Sequence, residues 1–261
     1  PSLLSPQPRA AGLAPFPVVT TAMRMSLAPF PVVTTATRSG PGALPAMAAK
    51  PDPQVPNLQT GKQNRNRHME KNTMPQTYEN FIAVTDRSLS RRDFPDQIRL
   101  IASLHPCALI LREKDLPEEE YLNLAVPVRQ ICHAEDVPFF VHGRADVARS
   151  IGCRRLHLPL PALRSLGGRP EGFDLVSVSC HSMEDMREAV SGGADRIILG
   201  TIFETQCKKG LRGRGLPFLQ EVCAACPVPV YAIGGIREKD LEAVMAAGAA
   251  GACMMSGFMF K

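Results

Sequence analysis

The sequence lacks any apolar run long enough to cross a membrane. No stretch of its 261 residues approaches the ~18 consecutive apolar residues that a spanning helix needs. Apolar residues make up 44% of the chain and charged residues 21%, which is typical of a globular protein in water. We therefore expect a cytoplasmic protein with no membrane partner.

An excess of positive charge is also missing from the part of the chain expected to fold. The whole chain carries a net charge of +5. Residues 1–75 hold eight basic and two acidic residues, a net of +6, which leaves −1 for the remainder. A nucleic-acid partner would require a basic surface on the folded part, so we expect none.

Paired cysteine motifs are scarce. Only Cys223 and Cys226, among eight cysteines, form a C-x-x-C motif, and no second pair lies nearby. Cys107, Cys180 and Cys253 fall on predicted strands, where free thiols pack as small apolar side chains. Reduced intracellular thiols are the favoured interpretation, and a metal or redox role for the C-x-x-C motif is the alternative.

Residues 1–75 lack the periodic segments of a folded domain. Residues 13–22 recur unchanged as residues 27–36, and prolines are frequent throughout. This low complexity predicts a disordered N-terminal segment over 1–75, followed by one folded domain over 76–261. The arginine-containing start, poor in acids, also allows a targeting peptide.

From residue 81 onward, short apolar and β-branched runs alternate with segments of helical spacing. Eight alternating βα steps predict an α/β protein, a small (β/α)8 TIM barrel. An open doubly wound sheet is the alternative, but no G-x-G-x-x-G motif follows the first strand. The predicted strands are 81–85, 108–111, 139–142, 156–158, 175–179, 197–199, 230–233 and 252–255. The predicted helices are 97–104, 117–134 with a break or kink at Pro127, 146–151, 184–190, 217–225 and 240–248.

The eighth helix of this barrel is predicted to be missing or reduced to a turn. Only five residues follow Ser256 in the sequence. The apolar surface that such a helix normally covers would then be open to solvent or to a partner, which allows a homo-oligomer.

Small residues follow the last two predicted strands. Gly234 and Gly235 come after the seventh strand, and Ser256 and Gly257 after the eighth. Glycine lets the main chain approach a ligand closely, and its N–H group can point at a phosphate oxygen. Because the loops after strands seven and eight of a barrel commonly bind phosphate, we favour a phosphate site over ligand-free turns.

Motifs spread over the barrel occur in the order seen in one family. They are Val-Thr-Asp-Arg at 84–87, Leu-Arg-Glu-Lys at 111–114, Gly-Thr-Ile-Phe at 200–203 followed by Lys208, Ala-Ile-Gly-Gly-Ile at 232–236, and Met255-Ser256. On these motifs, residues 81–256 resemble the thiamine phosphate synthase and TenI superfamily, whose fold is a (β/α)8 barrel. The resemblance implies a small phosphorylated thiazole as substrate.

The same resemblance implies which residues bind that substrate and whether a metal assists. The synthase joins a pyrimidine pyrophosphate to a thiazole phosphate with Mg²⁺, held by aspartates after strands three and four. Gly143 and Ala162 stand at those positions here and supply no oxygen ligand, so we expect no metal and no cofactor, with Mg²⁺ needed only by a synthase. The implied binding residues are Arg112, Lys114, Ser179, Thr205, Lys208, Gly234, Gly235, Met255 and Ser256.

The missing carboxylates favour the TenI branch of the resemblance, whose activity is thiazole tautomerase. This isomerase shifts a proton in a thiazole carboxylate phosphate and needs an acid/base group rather than a metal. His181 matches the branch's candidate for that group, since imidazole titrates near neutrality. The alternatives are a structural histidine at 181, ion pairs of Arg112 and Lys114 with Glu113 or Asp115, and an exposed loop lysine at 208.

We therefore expect a metal-independent thiazole tautomerase of thiamine biosynthesis. One alternative is a thiamine phosphate synthase, a transferase with metal ligands from elsewhere in the chain. Another is a non-catalytic protein that binds thiazole phosphate. A zinc site of His142, His157 and His181 is disfavoured because nothing in their spacing makes the three side chains converge.

Overall fold

The computed structural model describes residues 77–205 and 212–261. Eight parallel strands pair in chain order, and the first also pairs with the last, so the sheet closes into a barrel. The predicted fold class is confirmed. The strands are β1 (Phe81–Val84), β2 (Ala108–Leu111), β3 (Phe139–His142), β4 (Arg155–Pro159), β5 (Leu175–Cys180), β6 (Arg196–Gly200), β7 (Val230–Ile233) and β8 (Gly251–Met254). The proposed boundary at residue 75 and the N-terminal segment lie outside the described residues.

A helix follows each strand, as the alternating pattern predicts. Helix α4 lies on a segment where no helix was predicted. Helix α2 continues through Pro127, so the chain does not break there, and a kink at this proline stays a prediction. The helices are α1 (Phe94–Ser103), α2 (Glu118–Ala134), α3 (Ala145–Ser150), α4 (Leu160–Ser165), α5 (Met183–Ser191), α6 (Gly215–Ala225), α7 (Leu241–Ala246) and α8 (Ser256–Met259). Within the described residues, no helix is both long and apolar enough to cross a membrane.

The eighth helix is a single turn of four residues, which confirms that it is strongly reduced. Phe258 and Met259 are nevertheless buried, and the Phe258 ring packs 5.4 Å from that of Tyr78 and 6.5 Å from that of Phe81. Gln97 of α1 donates a hydrogen bond to the Phe258 carbonyl at 2.6 Å. The short helix therefore covers part of the surface expected to be open, while Phe260 beside it is 48% exposed.

The core has two layers because side chains alternate between the faces of each strand. One layer fills the barrel, and the other lies between the barrel and the helices. The interior layer consists of Ile82, Val84, Ala108, Ile110, Phe140, Ile198 and Cys253. His157 and Ser177, on neighbouring strands, are buried polar residues in register with each other.

Tyr121 of α2 ties two strand ends together at the wide mouth of the barrel. Its hydroxyl donates to the Leu111 carbonyl at 2.6 Å and accepts from the His142 amide at 3.1 Å. The side chain is fully buried, so both backbone groups depend on this hydroxyl. Tyr121 therefore fixes the ends of β2 and β3, from which Arg112 and Gly143 follow.

Replacing Tyr121 with phenylalanine should lower the free energy of unfolding by about 1–3 kcal/mol, because a buried carbonyl and a buried amide lose their partner. Urea denaturation should show a lower midpoint with an unchanged slope. A midpoint equal to that of the wild type would mean that the hydroxyl is not needed to satisfy these groups.

Candidate active site at the barrel mouth

Gly234 and Gly235 form a tight turn directly after β7. Their φ angles are +102° and +65°, a region that favours glycine. A Cβ atom on Gly234 would lie 2.5 Å from Cγ2 of Thr201, and one on Gly235 would overlap the carbonyl oxygen of Glu204. Close packing against the loop after β6 is thus enough to explain why both positions are glycine. Their contact with a phosphate stays a prediction.

Arg112 reaches from the end of β2 across β1 to the end of β8. Its Nη1 atom lies 3.9 Å from Sδ of Met255 and 3.5 Å from Oδ2 of Asp86. The expected alternative partners, Glu113 and Asp115, are therefore wrong for this residue. The structure brings Arg112 next to Met255, the residue before Ser256, which begins α8.

Glu113 is a buried carboxylate that the sequence analysis did not single out as functional. It accepts hydrogen bonds from Oγ1 of Thr85 at 2.6 Å and from the amide of Arg87 at 3.0 Å. Burial raises the pKa of Glu113, and the hydrogen bond from Thr85 counteracts this. These bonds join the loops after β1 and β2, which gives Glu113 a structural role between them.

A cleft of about 590 Å³ opens between the loops after β2, β3 and β4. Gly143 and Ala162 both line it, as do the cations Lys114 and Arg144. The carboxylates lining the cleft, besides Glu113, belong to Glu118 and Asp146. This is the side of the mouth where the resemblance expects the metal and the pyrophosphate of a synthase.

The donor set does not fit Mg²⁺ at the positions that the family uses. Mg²⁺ prefers oxygen ligands, and neither Gly143 nor Ala162 has a side-chain oxygen. Among residues 77–205 and 212–261, no group of three histidine, cysteine or acidic side chains is arranged to hold a metal. Besides Glu113, which already accepts bonds from Thr85 and Arg87, Glu118 and Asp146 are the carboxylates at the cleft that could supply oxygen ligands instead.

His157 lies inside the barrel with both ring nitrogens engaged. Nδ1 is 2.7 Å from Oγ of Ser177, and Nε2 is 2.8 Å from Oγ of Ser179. Burial, followed by the charge of His142, lowers the pKa of His157 well below its usual value. A neutral His157 therefore forms a hydrogen bond with the hydroxyl of Ser179, a candidate substrate-binding residue. No signal in the sequence predicted this pair.

His142 stands beside His157 at the end of β3, with ring centroids 5.4 Å apart. Burial and then the charges of Lys114 and Arg112 lower the pKa of His142 to about 4. His181 instead bonds to the carbonyl of Gly200 through Nδ1. Within the described residues, these three histidines are not grouped in a way that could hold a metal ion.

The remaining candidate residues fall into different places. His181 is exposed on the turn after β5, and Lys114 lines the cleft. Thr205 is half-buried in the loop after β6. Lys208 lies outside the described residues, so its role stays a prediction.

The C-x-x-C pair has no feature of a reactive site. Cys223 and Cys226 are both free and half-buried. Burial raises the pKa of both thiols, which lowers the fraction of reactive thiolate at neutral pH. Their position supports packing rather than redox chemistry.

The structure therefore defines a parallel (β/α)8 barrel with a glycine turn, cations and an exposed histidine at the mouth, where enzymes of this fold class have their active sites. Residues 81–258 match the family model for thiamine monophosphate synthase, TMP-TENI. The chain therefore belongs to the thiamine monophosphate synthase family. The matched region begins with β1 and includes every strand.

Known relatives agree with this membership. The chain is 36% identical to a thiamine-phosphate synthase of Methanoculleus marisnigri, over 67% of this chain and 85% of the relative. It is 32% identical to one of Coprothermobacter proteolyticus, again over 67% and 85%. A thiamine phosphate pyrophosphorylase of Pyrococcus furiosus shares the fold, with a TM-score of 0.58, 23% identity and coverage of 71% and 95%. These names favour the transferase alternative over the tautomerase that we expected, and the TenI branch is not distinguished by them.

We expect the free energy of unfolding to fall as the pH drops from about 6.5, the usual pKa of histidine, toward 4, because the unfolded chain takes up a proton that folded His142 resists. The charged or titratable groups near His142 are Lys114, Arg112, Arg144 and His157. Above about pH 6.5 this contribution is fully present.

His142→Asn should weaken this dependence, as measured by urea denaturation at a series of pH values. His105→Asn, at an exposed histidine before β2, is the control and should follow the wild type. Equal slopes for wild type and His142→Asn would contradict the assignment to His142.

Proposed function

We propose that this member of the family is an enzyme of thiamine biosynthesis that binds a phosphorylated thiazole at the barrel mouth and moves a proton on it, as a thiazole tautomerase does. The observation that carries the proposal is the lining of the cleft by Gly143 and Ala162 where a synthase needs two carboxylates. A proton shift needs an acid/base group and an anchor for the substrate, and neither role requires those carboxylates.

The residues for a proton shift are available on the other side of the mouth. His181 follows β5 and is bonded to the last residue of β6. Gly234 and Gly235 follow β7, and Ser256 begins α8 directly after β8. Consecutive strand ends thus offer an imidazole, two glycine amides and a hydroxyl for a phosphorylated ring. Arg112 adds a positive charge on the same side of the mouth, since it contacts Met255, the residue before Ser256.

Thiamine phosphate synthase is the second candidate, and the names of the relatives favour it. The cleft beside Lys114 and Arg144 carries positive charge, which suits a pyrophosphate. Glu118 and Asp146 are present there as oxygen donors, although Asp146 already pairs with Arg149 at 2.8 Å. A synthase on this chain would therefore hold its metal from residues outside the family's aspartate positions.

A substrate assay separates the two candidates. Tautomerase activity predicts isomerisation of a thiazole carboxylate phosphate at a rate unchanged by Mg²⁺ or by EDTA, with no coupling of pyrimidine pyrophosphate to thiazole phosphate. Mg²⁺-dependent coupling would overturn the tautomerase and support the synthase. In that case the double variant Glu118→Gln, Asp146→Asn should abolish coupling, while the neighbouring Glu119→Gln should not. Tight binding of thiazole phosphate with neither reaction would indicate a binding protein.

His181→Asn should lower kcat of the isomerisation by about 10²-fold or more, the usual contribution of general acid–base catalysis. Affinity for thiazole phosphate should stay unchanged, because the proposed anchor lies on β7 and β8. His105→Asn is the matched control, since this exposed histidine has φ +48°, which asparagine tolerates. A loss of affinity instead of rate would make His181 a binding or structural residue.

A further inference from the structure

His181 is held on three sides at the mouth of the barrel, and the arrangement distinguishes its two ring nitrogens. We propose that Nε2 of His181 is the atom that exchanges the proton, and that Asp185 and Arg214 are positioning residues that keep it aimed at the mouth. The catalytic part of this inference rests on the proposed function. The tautomer and the positioning do not, because they concern the protein without substrate.

The carbonyl of Gly200 determines which nitrogen is free to react. Nδ1 of His181 lies 2.6 Å from this oxygen, which can only accept a hydrogen bond, so Nδ1 carries the hydrogen. The neutral ring then has its lone pair on Nε2. Gly200 ends β6 in register with Ile233 of β7, and a Cβ there would lie 2.5 Å from Cγ2 of Ile233. The oxygen that selects the tautomer is therefore part of the closely packed sheet.

Asp185 holds the amide of His181 from the first turn of α5. Its Oδ2 atom accepts from the His181 amide at 2.8 Å, while its own amide donates to Oγ of Ser182, the N-cap of the helix, at 3.0 Å. The two bonds together fix the direction in which the chain leaves β5 and enters α5. A change at Asp185 therefore acts on His181 through the backbone.

Arg214 holds the next peptide unit, through the carbonyl of His181. Its Nη1 atom donates to the His181 carbonyl at 2.5 Å. Arg214 is itself fixed, because its amide donates to the Thr201 carbonyl at 3.0 Å and its guanidinium carbon lies 3.6 Å from the centroid of the Phe218 ring. Arg214 thus ties the turn after β5 to the loop after β6, the loop that follows Gly200.

The three bonds engage the amide, the carbonyl and Nδ1 of His181, and none of them uses Nε2. This suits Nε2 as the atom that takes up and returns a proton. As base, Nε2 accepts a proton from the substrate ring and the imidazole becomes imidazolium. As acid, the same Nε2–H returns the proton to a second ring position, so no atom or electron is gained or lost. Nδ1–H keeps its bond to Gly200 in both protonation states, and the ring does not have to turn between the two steps.

The tautomer can be measured without substrate on the full chain labelled with ¹⁵N. Long-range ¹H–¹⁵N correlation at mildly alkaline pH, where a free imidazole is neutral, should show His181 protonated at Nδ1 and unprotonated at Nε2. The signals are assigned by their disappearance in His181→Asn. A dominant Nε2–H tautomer would overturn the proposal, whatever reaction the protein catalyses.

Arg214→Gln and Asp185→Ala should shift the tautomer ratio toward Nε2–H and lower kcat about tenfold or more, with KM changed less than about twofold, since misplacing a catalytic group costs rate. Arg214→Lys and Asp185→Asn retain one donor or one acceptor and should recover part of the rate and of the tautomer ratio. The controls Arg212→Gln, in the same loop, and Glu184→Gln, in the same helical turn, remove the same charges and should match the wild type.

The outcomes separate this inference from the proposed function. An unchanged tautomer ratio and kcat in both Arg214→Gln and Asp185→Ala would overturn the positioning roles. Equal losses in the control variants would also overturn them, because the effect would then come from charge alone. The absence of isomerisation in a wild type that shows the Nδ1–H tautomer would overturn the proposed function and leave the tautomer assignment standing.

Discussion

Closure of the parallel sheet is the constraint on which the rest of the structure depends. Pairing of β1 with β8 gives every strand two neighbours, and because all the strands are parallel, their eight carboxyl ends surround one mouth. Residues far apart in the chain meet there as a result. Arg112 and Met255, 143 positions apart, come into contact because β1 alone separates β2 and β8, the strands that they directly follow.

Polar groups buried near this mouth stabilise it only because they are paired. The hydroxyls of Thr85 and Tyr121 and the ring of His157 each satisfy a group on another strand or loop. An unpaired buried polar group would cost more than the bond contributes, so such networks fix one arrangement of the loops. The candidate site therefore rests on a rigid base.

The residue chemistry and the names of the relatives emphasise different halves of the mouth. The names point to a transferase. The resemblance expects the metal of a synthase on the side of β3 and β4. On that side this chain has Gly143 and Ala162. The side of β5 to β8 carries His181 and the glycine turn in an arrangement suited to a proton shift. Activity on defined substrates decides between the two reactions.

The sequence by itself determined the order of the elements, because hydrophobic periodicity and glycine stops are local signals. Eight alternating segments were enough to predict the barrel, and the motifs were enough to predict the family. Helix α4, with prolines at its start, was missed because tertiary packing overrides local propensity.

Only the tertiary structure decided which side chains become partners. Residues of different strands or loops are joined in three places. Arg112 pairs with Asp86, Thr85 donates a hydrogen bond to the buried Glu113, and His157 contacts both Ser177 and Ser179. The carbonyl of Gly200 that orients His181 likewise comes from the neighbouring strand. Such partners cannot be read along one segment, since they depend on strand register and on closure of the barrel, which bring together atoms that the chain keeps far apart.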